Sequence, residues 1–389
     1  MSEIVAIITE YNPFHNGHKY QIDKIREQIN DATIIAIMSG NAVQRGDFAF
    51  ANKYSRAKCA IECGVDAVFE LPFPYSCSTA EIFASAGVEI ASKLGADYLY
   101  FGIEASSVEE IEKIADTIDT KSYNDEISAL INEGYVSYPI MREIALKKLG
   151  FNMSNSSNDI LAIEYIRAIK NKRLNLKYRA VKRTGAHYKD KSVCDIMSAS
   201  AIRDEYYKNG KLLSLPKNAE EILNFEAENG LINDKFASNR ILHSSIILNS
   251  PISIEKCFDV TSGMGYYLYD KGKKCKNITS FTDELSSKCY TTARLKRAVL
   301  YSMFNVVSID KEPKYTVLLG ANEKGKKVIK ANRKKENFII ITKYSDSKKL
   351  DKAVFEQYEK SLKLDEIYET LCIEPKSPKN AYMKTPYIK

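Results

Sequence analysis

The first 200 residues alternate short apolar segments with helical patterns, and this alternation restricts the fold more than any other feature. Apolar segments occupy residues 4–8, 33–38, 67–71, 98–101 and 176–181. Helical patterns occupy residues 17–29, 53–63, 78–93 and 107–119, and two or three further helices fit within 123–170. Such alternation is typical of a parallel sheet with right-handed crossovers and helices on both faces. The sequence therefore predicts an α/β fold with a Rossmann-like parallel sheet.

The end of the first strand carries a pair of histidines in a tight turn. Asn12-Pro13 is a strong turn signal, and His15 and His18 follow in a His-x-Gly-His spacing, directly before a helical pattern. A helix that begins behind a strand directs backbone N–H groups and its positive dipole end at one point, which suits phosphate. The imidazoles add hydrogen-bond donors, and Gly17 lets a ligand approach the backbone closely. These residues predict a nucleotide or phosphate site.

Polar residues also follow the later strands and begin the later helices. Because ligands of an open α/β sheet bind at the carboxyl ends of its strands, we expect these side chains at one rim. Ser198 or Ser200 would cap a helix, and Arg183 and Arg203 would hold phosphates, although each arginine could equally form a structural ion pair. The other rim positions are Gln44, Arg45, Gly46, Asp47, Lys53, Arg56, Glu70, Gly102, Glu104, Asn158 and Asp159.

Several familiar catalytic patterns are missing from the sequence. No G-x-G-x-x-G follows the first strand, which disfavours an NAD enzyme, and there is no P-loop, no zinc signature and no Ser-His-Asp candidate. Attack at a nucleotide α-phosphate needs positioning and charge neutralisation rather than a nucleophilic side chain. The histidines and arginines at the predicted rim can supply both.

The second half of the chain has a different pattern. Helical stretches occur near residues 219–224, 241–248 and 293–306, and a small strand–helix unit fits residues 315–342, followed by a helix and a loose end. We therefore predict three parts: an N-terminal α/β domain (1–212), a mainly helical region (213–310) and a small basic α/β C-terminal unit (311–389).

Charge is unevenly distributed along the chain. The whole sequence has 57 basic and 50 acidic side chains, whereas residues 311–389 have 19 and 11. This basic excess indicates a polyanionic partner such as RNA, although a lysine-rich solvated surface would give the same count. Beside Tyr290, the cations Arg294, Lys296 and Arg297 suit contact with RNA phosphates and bases. The alternative is an ordinary amphipathic helix.

The remaining composition predicts a cytoplasmic protein. No apolar run approaches the roughly 20 residues of a membrane span, and the N-terminus lacks a secretory leader. The eight cysteines are scattered without a Cys-x-x-Cys pair, as expected in a reducing compartment. We expect no membrane association, no metal ligated by the chain itself and no protein partner.

Two motifs of this sequence resemble signatures of the HIGH-motif nucleotidylyltransferase-like superfamily. They are the His-x-Gly-His at residues 15–18 and the Ser-x-Ser-x-Ile-Arg at residues 198–203. Longer segments at 7–18, 38–46, 70–73 and 158–161 resemble the bacterial tRNA(Met) cytidine acetate ligase family. The resemblance runs through residues 1–210 and continues more weakly to about residue 350. The chain departs from the family pattern at Asp159, Ala162, His187 and Lys189, and Ser200 stands where a threonine is common.

The resemblance implies an ATP-dependent ligase in which residues 1–212 form a nucleotidylyltransferase-like ATP-binding catalytic domain and residues 213–310 form an RNA-binding region. Acetate would attack the α-phosphate of ATP, and N4 of the wobble cytidine of elongator tRNA(Met) would then take the acetyl group from acetyl-adenylate. Mg²⁺ is expected with ATP, and His15 and His18 would be catalytic. The residues expected to bind ATP are Ile7, Thr9, Glu10, Tyr11, Asn12, Pro13, Phe14, Asn16, Gly17, Tyr20, Gly102, Asn158, Arg183, Ser200 and Arg203.

Two other functions fit parts of the sequence. A small-molecule nucleotidylyltransferase or acyl-adenylate-forming enzyme would need only the N-terminal domain, so the long basic second half disfavours it. A non-catalytic RNA-binding protein would not need the intact His-x-Gly-His or the rim arginines.

Overall fold

The strands of the protein form one twisted sheet. The computed structural model describes residues 2–134, 137–153, 156–182, 197–278, 281–285, 287, 289–332 and 338–389. The strands found there are β1 (Ile4–Thr9), β2 (Thr33–Ser39), β3 (Ala67–Leu71), β4 (Tyr98–Ile103), β5 (Lys177–Lys182), β6 (Tyr315–Ala321), β7 (Ile339–Ile341) and β8 (Tyr387–Ile388). Their order is β5-β4-β1-β2-β3-β6-β7, with β8 beside β6. Strands β1 to β5 are parallel, so the predicted Rossmann-like sheet is confirmed.

Helices connect the parallel strands as the alternation predicts. They are α1 (Asn16–Gln28), α2 (Lys53–Glu62), α3 (Ala80–Lys93), α4 (Val108–Ile118), α5 (Lys121–Asn132), α6 (Tyr138–Lys148), α7 (Ser157–Asn171) and α8 (Ala199–Asn209). Helix α7 begins at Ser157, because the Ser156 hydroxyl caps it by accepting from the Asp159 N–H. Asp159 therefore lies in the first turn.

The central strands are buried on both faces. Every residue of β2 is buried, and its side chains alternate between two apolar clusters. One cluster joins the sheet to α3 and α7, and the other joins it to α1 and α2. Burial on both faces explains why these strands appear in the sequence as continuous apolar segments without alternation.

The second half of the chain adds helices around the sheet. These helices are α9 (Lys217–Glu228), α10 (Lys235–Leu248), α11 (Pro251–Glu255), α12 (Met264–Lys274), α13 (Phe281–Glu284), α14 (Thr292–Met303), α15 (Glu323–Asn332), α16 (Lys352–Thr370) and α17 (Asn380–Met383). Those between residues 235 and 303 pack against one another as a helical layer. No helix in the described part of the chain is long and apolar enough to cross a membrane.

The C-terminal strands extend the same sheet. Strand β6 runs antiparallel to β3, with Phe69 opposite Leu318, and β8 pairs with β6. The prediction of a loose end after α16 is wrong, because residues 387–388 find backbone partners on β6. The division into three domains stays a prediction, but the third part shares its sheet with the first.

A buried charge cluster joins the C-terminal part to the sheet. The Lys53 ammonium lies 2.7 Å from a Glu70 carboxylate oxygen at the end of β3 and 2.6 Å from an Asp365 oxygen on α16. Burial alone would lower the pKa of Lys53, but the two carboxylates raise it well above its usual value. Removing one partner of such a cluster leaves an uncompensated buried charge.

Candidate active site

A cavity of about 440 Å³ opens at the carboxyl ends of β1, β4 and β5. This is the position at which open α/β sheets bind ligands. The structure brings most of the predicted residues together here, since its lining includes Thr9, Glu10, Tyr11, Asn12, His15, Gly17, His18, Tyr20, Gly102, Asn158, Ser200 and Arg203.

Four predicted residues in the described part of the chain do not line the cavity. Ile7 and Phe14 are buried in the apolar cluster beneath it. Pro13 belongs to the turn before α1, and Asn16 is the first residue of that helix, where its N–H donates to the Ser214 carbonyl at 3.0 Å. Arg183 lies outside the described residues, as do His187 and Lys189.

The two histidines cap α1 reciprocally. Nδ1 of His15 accepts from the Gly17 N–H at 3.0 Å, and Nδ1 of His18 accepts from the His15 N–H at 3.2 Å. The rings stack with centroids 3.8 Å apart, and only 2% of the His15 surface is exposed. Because Nδ1 accepts in each ring, the neutral imidazole carries its proton on Nε2, where it acts as a donor. The helix cap thus fixes the tautomer that suits a phosphate oxygen.

Three helix N-termini converge on the cavity. Its lining includes Gly17 and His18 from the first turn of α1, Ser157 and Asn158 from α7, and Ser198 to Ser200 at the start of α8. The Ser198 hydroxyl caps α8 by accepting from the Ala201 N–H at 3.2 Å. Three positive dipole ends and their unsatisfied N–H groups give the cavity a field that favours an anionic ligand.

Two arginines hold the turn between β1 and α1. Arg203 donates through Nη1 to the Asn12 carbonyl at 2.6 Å, so this predicted phosphate ligand also positions the turn. Arg56 is fully buried and donates to the carbonyls of Glu10, Ser39 and Gly40 at the ends of β1 and β2. Burial lowers the pKa of Arg56 to about 10, and the guanidinium remains charged at neutral pH. Arg56 is therefore structural.

Glu10 is the carboxylate at the end of β1. One of its oxygens accepts from the Gln44 N–H at 2.8 Å, and the side chain lines the cavity. Burial raises the pKa of Glu10, and the Gln44 N–H together with the charges of Arg203, Arg56 and Arg45 opposes this effect. The site thus contains a carboxylate whose basicity exceeds that of an exposed glutamate.

Asp159 organises the loop after β4. Its carboxylate accepts from the backbone N–H groups of Glu104, Ala105 and Ser106 at 2.8, 3.2 and 3.2 Å. The neighbouring Asn158 side-chain amide donates to the Glu104 carboxylate. Asp159, which departs from the family pattern, therefore holds the loop in place through its fully buried carboxylate, which accepts from three backbone N–H groups.

The cavity has lining residues beyond those predicted to bind ATP. Gln44, Arg45 and Glu104 are among them, and their positions directly after strands are the sequence signal that indicates them. Arg45 donates to the Ser157 hydroxyl at 2.7 Å, linking the loop after β2 to α7. The apolar and aromatic lining has no comparable sequence signal; it comprises Ile8, Phe83, Phe101, Leu161, Tyr165 and Val181.

The cations predicted to bind RNA on α14 have partners within the protein. Arg294 lies 3.0 Å from an Asp259 carboxylate oxygen, and Lys296 lies 2.9 Å from Asp47. Arg297 is buried, with only 6% of its surface exposed, and lies 3.8 Å from Asp259. RNA contact by these residues stays a prediction, but the structure shows a different contact, between α14 and the loop that carries Gln44 and Arg45.

Comparison with known proteins gives consistent similarities along the whole chain. The family described as HIGH Nucleotidyl Transferase matches residues 2–383. The tRNA(Met) cytidine acetate ligase of Thermoanaerobacter sp. (strain X514) is 34% identical over 384 residues, covering 94% of each chain. That of Caldicellulosiruptor bescii is 35% identical over 87% of each chain. The crystal structure of Thermotoga maritima TmcAL bound with alpha-thio ATP superposes with a TM-score of 0.88 at 27% identity and covers 99% of both chains.

Proposed function

This chain belongs to the tRNA(Met) cytidine acetate ligase family of HIGH nucleotidyl transferases, and we propose that it acetylates N4 of the wobble cytidine of elongator tRNA(Met) in an ATP-dependent reaction. The observation that carries the proposal is the cavity in which the histidine pair and three helix N-termini converge. A triphosphate is the ligand that such a concentration of donors and positive dipole ends suits.

The first step activates acetate. A carboxylate oxygen of acetate attacks the α-phosphorus of ATP, the bond to the bridging oxygen of the β-phosphate breaks, and pyrophosphate leaves. His15 and His18, as Nε2–H donors, and Arg203 stabilise the charge that accumulates on the phosphate oxygens. No nucleophilic side chain takes part, so the protein contributes positioning and charge neutralisation.

The second step transfers the acetyl group to RNA. The N4 amine of cytidine attacks the acetyl carbonyl, the carbon–oxygen bond to the phosphate breaks, and AMP leaves with the bonding electron pair. The amine must then lose a proton. Glu10 is a suitable acceptor because its carboxylate lines the cavity and its pKa is raised by burial.

Mg²⁺ is proposed to accompany ATP. The ion, when bound, would neutralise part of the triphosphate charge. Carboxylate oxygens are ligands that Mg²⁺ accepts, and the Glu104 carboxylate lines the cavity. The donor set of the cavity therefore fits an ion that is held largely by ATP itself.

The test is a reaction with purified components. The protein is incubated with ATP, acetate and an unmodified elongator tRNA(Met) transcript, and nucleosides are analysed by mass spectrometry after digestion. We expect N4-acetylcytidine at the wobble position, with AMP and pyrophosphate as co-products. A wobble-position C→U transcript is the matched control and should remain unmodified. Acetylation of neither transcript, with AMP transferred to a small molecule instead, would contradict the proposal.

A further inference from the structure

The helical layer contains a second basic and aromatic segment, at α12. Residues 264–276 include three tyrosines, Tyr266, Tyr267 and Tyr269, and four lysines, Lys271, Lys273, Lys274 and Lys276, against a single acidic residue, Asp270. The cations of α14 are already paired with Asp259 and Asp47, so cations that have no such ion pair are the better candidates for contact with RNA phosphates.

One face of α12 packs on the protein and the other is open. Met264, Gly265, Leu268 and Gly272 are buried, and a Cβ on Gly272 would lie 2.9 Å from the Ile246 side chain of α10. On the opposite face 56% of the Tyr266 surface is exposed, and the lysines that follow are exposed or half-buried. The apolar side of α12 holds the helix against the protein, and the tyrosines and lysines of the other side are at the surface.

The lysines of this face are arranged around aromatic rings. The Lys273 ammonium lies 4.9 Å from the Tyr269 ring centroid, and that of Lys271 lies 5.7 Å from the Tyr267 centroid. Lys274 pairs with Asp270, but within the described residues no carboxylate lies in ion-pair contact with Lys271, Lys273 or Lys276. Cations beside rings can contact phosphates while the rings stack on unpaired bases.

The position of α12 relates it to the cavity. The loop before α12 carries Asp259, which binds Arg294 and Arg297 of α14, and α14 in turn packs on the loop of Gln44 and Arg45 at the cavity wall. The segment before α12 is therefore linked to the cavity wall through α14. The RNA around a base that is bound in the cavity has to lie on the protein surface outside it, where exposed cations can neutralise its phosphates.

Another lysine-rich helix, α15, lies at the amino ends of the strands, away from the cavity. Helix α15 lies against the amino end of β3, where a Cβ on Gly325 would collide with the Asp66 carbonyl. Its Lys324 pairs with Asp31, and Lys327 and Lys330 are exposed. The lysines of α15 therefore lie away from the carboxyl ends of the strands.

We propose that the exposed face of α12, from Tyr266 to Lys276, binds the anticodon arm of the tRNA substrate, its lysines contacting phosphates and Tyr266 stacking on an unpaired base. The inference rests on the proposed function, because it requires an RNA substrate whose reactive base enters the cavity.

The experiment compares two triple variants of the full chain. The first variant changes Lys271, Lys273 and Lys276 of the α12 face to Gln. The second changes Lys324, Lys327 and Lys330 of α15 to Gln, which removes the same charge at the amino ends of the strands. Filter binding of elongator tRNA(Met) is measured at several salt concentrations, and thermal unfolding verifies that both variants fold.

The α12 variant is expected to bind tRNA on the order of 10- to 100-fold more weakly at low salt. The slope of log affinity against log salt should decrease by roughly two to three units, about one for each RNA phosphate that the lysines no longer neutralise. The α15 variant should match the wild type. Tyr266→Ala should weaken binding by roughly 5- to 20-fold with little change in salt slope, because stacking is not a charge interaction.

Four results would overturn the inference. Wild-type affinity and slope in the α12 variant, while the wild-type protein acetylates tRNA, would refute the surface and leave the proposed function standing. Equal weakening in both triple variants would show a general charge effect. Unchanged tRNA affinity with an altered oligomeric state in the α12 variant would assign the face to a second copy of the chain. Absence of tRNA binding by the wild type would refute the proposed function as well.

Discussion

The histidine pair combines a structural role with a chemical one. Each imidazole accepts a backbone N–H through Nδ1, which closes the first turn of α1, and this same hydrogen bond leaves the proton on Nε2. Substitution of either histidine therefore changes the helix cap and the phosphate donor together. An informative variant has to separate these two effects.

At the residue scale, we predict that His18→Glu folds but does not form acetyl-adenylate. Glutamate is the common third residue of a capping box and can accept from the His15 N–H, as the imidazole does. It removes the Nε2–H donor and adds a negative charge beside the phosphates, so acetate-dependent pyrophosphate release should decrease by about 10²-fold or more.

His18→Ala is the companion variant for this prediction. It should lose a similar amount of activity and also about 0.5–2 kcal/mol of stability, because the cap is incomplete. Pyrophosphate release and chemical unfolding are measured for both variants. Activity near the wild-type rate in His18→Glu would show that the imidazole serves the cap alone.

At the element scale, the loop after β2 is held between the cavity and α14. Gly46 has a φ of 86°, and a Cβ at this position would lie 2.6 Å from the Arg297 backbone nitrogen. The ion pair between Lys296 and Asp47 closes the same interface. The helical layer thereby fixes the loop that carries Gln44 and Arg45 into the site.

We predict that Gly46→Ala weakens both the fold and the chemistry. The positive φ costs about 1 kcal/mol, the collision with α14 adds about 1–3 kcal/mol, and the displaced loop should lower the rate of pyrophosphate release. The matched control is Gly210→Ala, where φ is 70° but no atom lies within 4 Å of the added Cβ.

The control variant should lose about 1 kcal/mol, because only the backbone strain applies, and it should retain activity. Urea unfolding and pyrophosphate release are compared between the two variants. Equal losses of stability and activity in both would show that packing against α14 does not position the loop.

At the scale of the whole molecule, the C-terminal part is joined to the catalytic sheet by strand pairing and by buried charge. Lys53 of α2 lies between Glu70 of β3 and Asp365 of α16, so three distant segments meet in one cluster. Burial raises the pKa of Glu70 to about 7, the Lys53 charge opposes this, and the Asp365 charge reinforces it. The cluster makes the fold sensitive to pH.

We predict that the free energy of unfolding decreases as pH rises from about 4.5 to about 7, because Glu70 loses its proton in this range. The folded protein holds the Glu70 proton more tightly than the unfolded chain does. The stabilisation from this proton is therefore complete below the pKa of Glu70 in the unfolded chain, and it is lost as pH rises to the pKa in the folded protein. The expected slope is about 1 kcal/mol per pH unit, and Glu70→Gln should remove it.

Asp365→Asn provides the second arm of this measurement. Loss of the neighbouring negative charge should lower the pKa of Glu70 and move the pH-dependent range toward acid. Chemical unfolding at a series of pH values reports both variants. A pH dependence in Glu70→Gln that matches the wild type would assign the titration to another group.

The parallel sheet, and the sheet edge at which a ligand site is predicted, follow from local patterns in the sequence. Buried strands are apolar on both faces, and helical segments follow a 3.6-residue period, so both are local properties that composition and spacing reveal. The histidine turn and the rim positions after the strands follow from the same pattern, because carboxyl ends of parallel strands share one edge.

The contacts between segments that are distant in sequence are visible only in the tertiary structure. The pairing of β6 with β3, the burial of Lys53 between Glu70 and Asp365, and the pairing of the α14 cations with Asp47 and Asp259 all join residues far apart in the chain. A lysine or arginine has the same local pattern whether it faces solvent or a carboxylate from elsewhere. Its role is set by the partner that folding brings to it, and a count of charges along the sequence contains no such information.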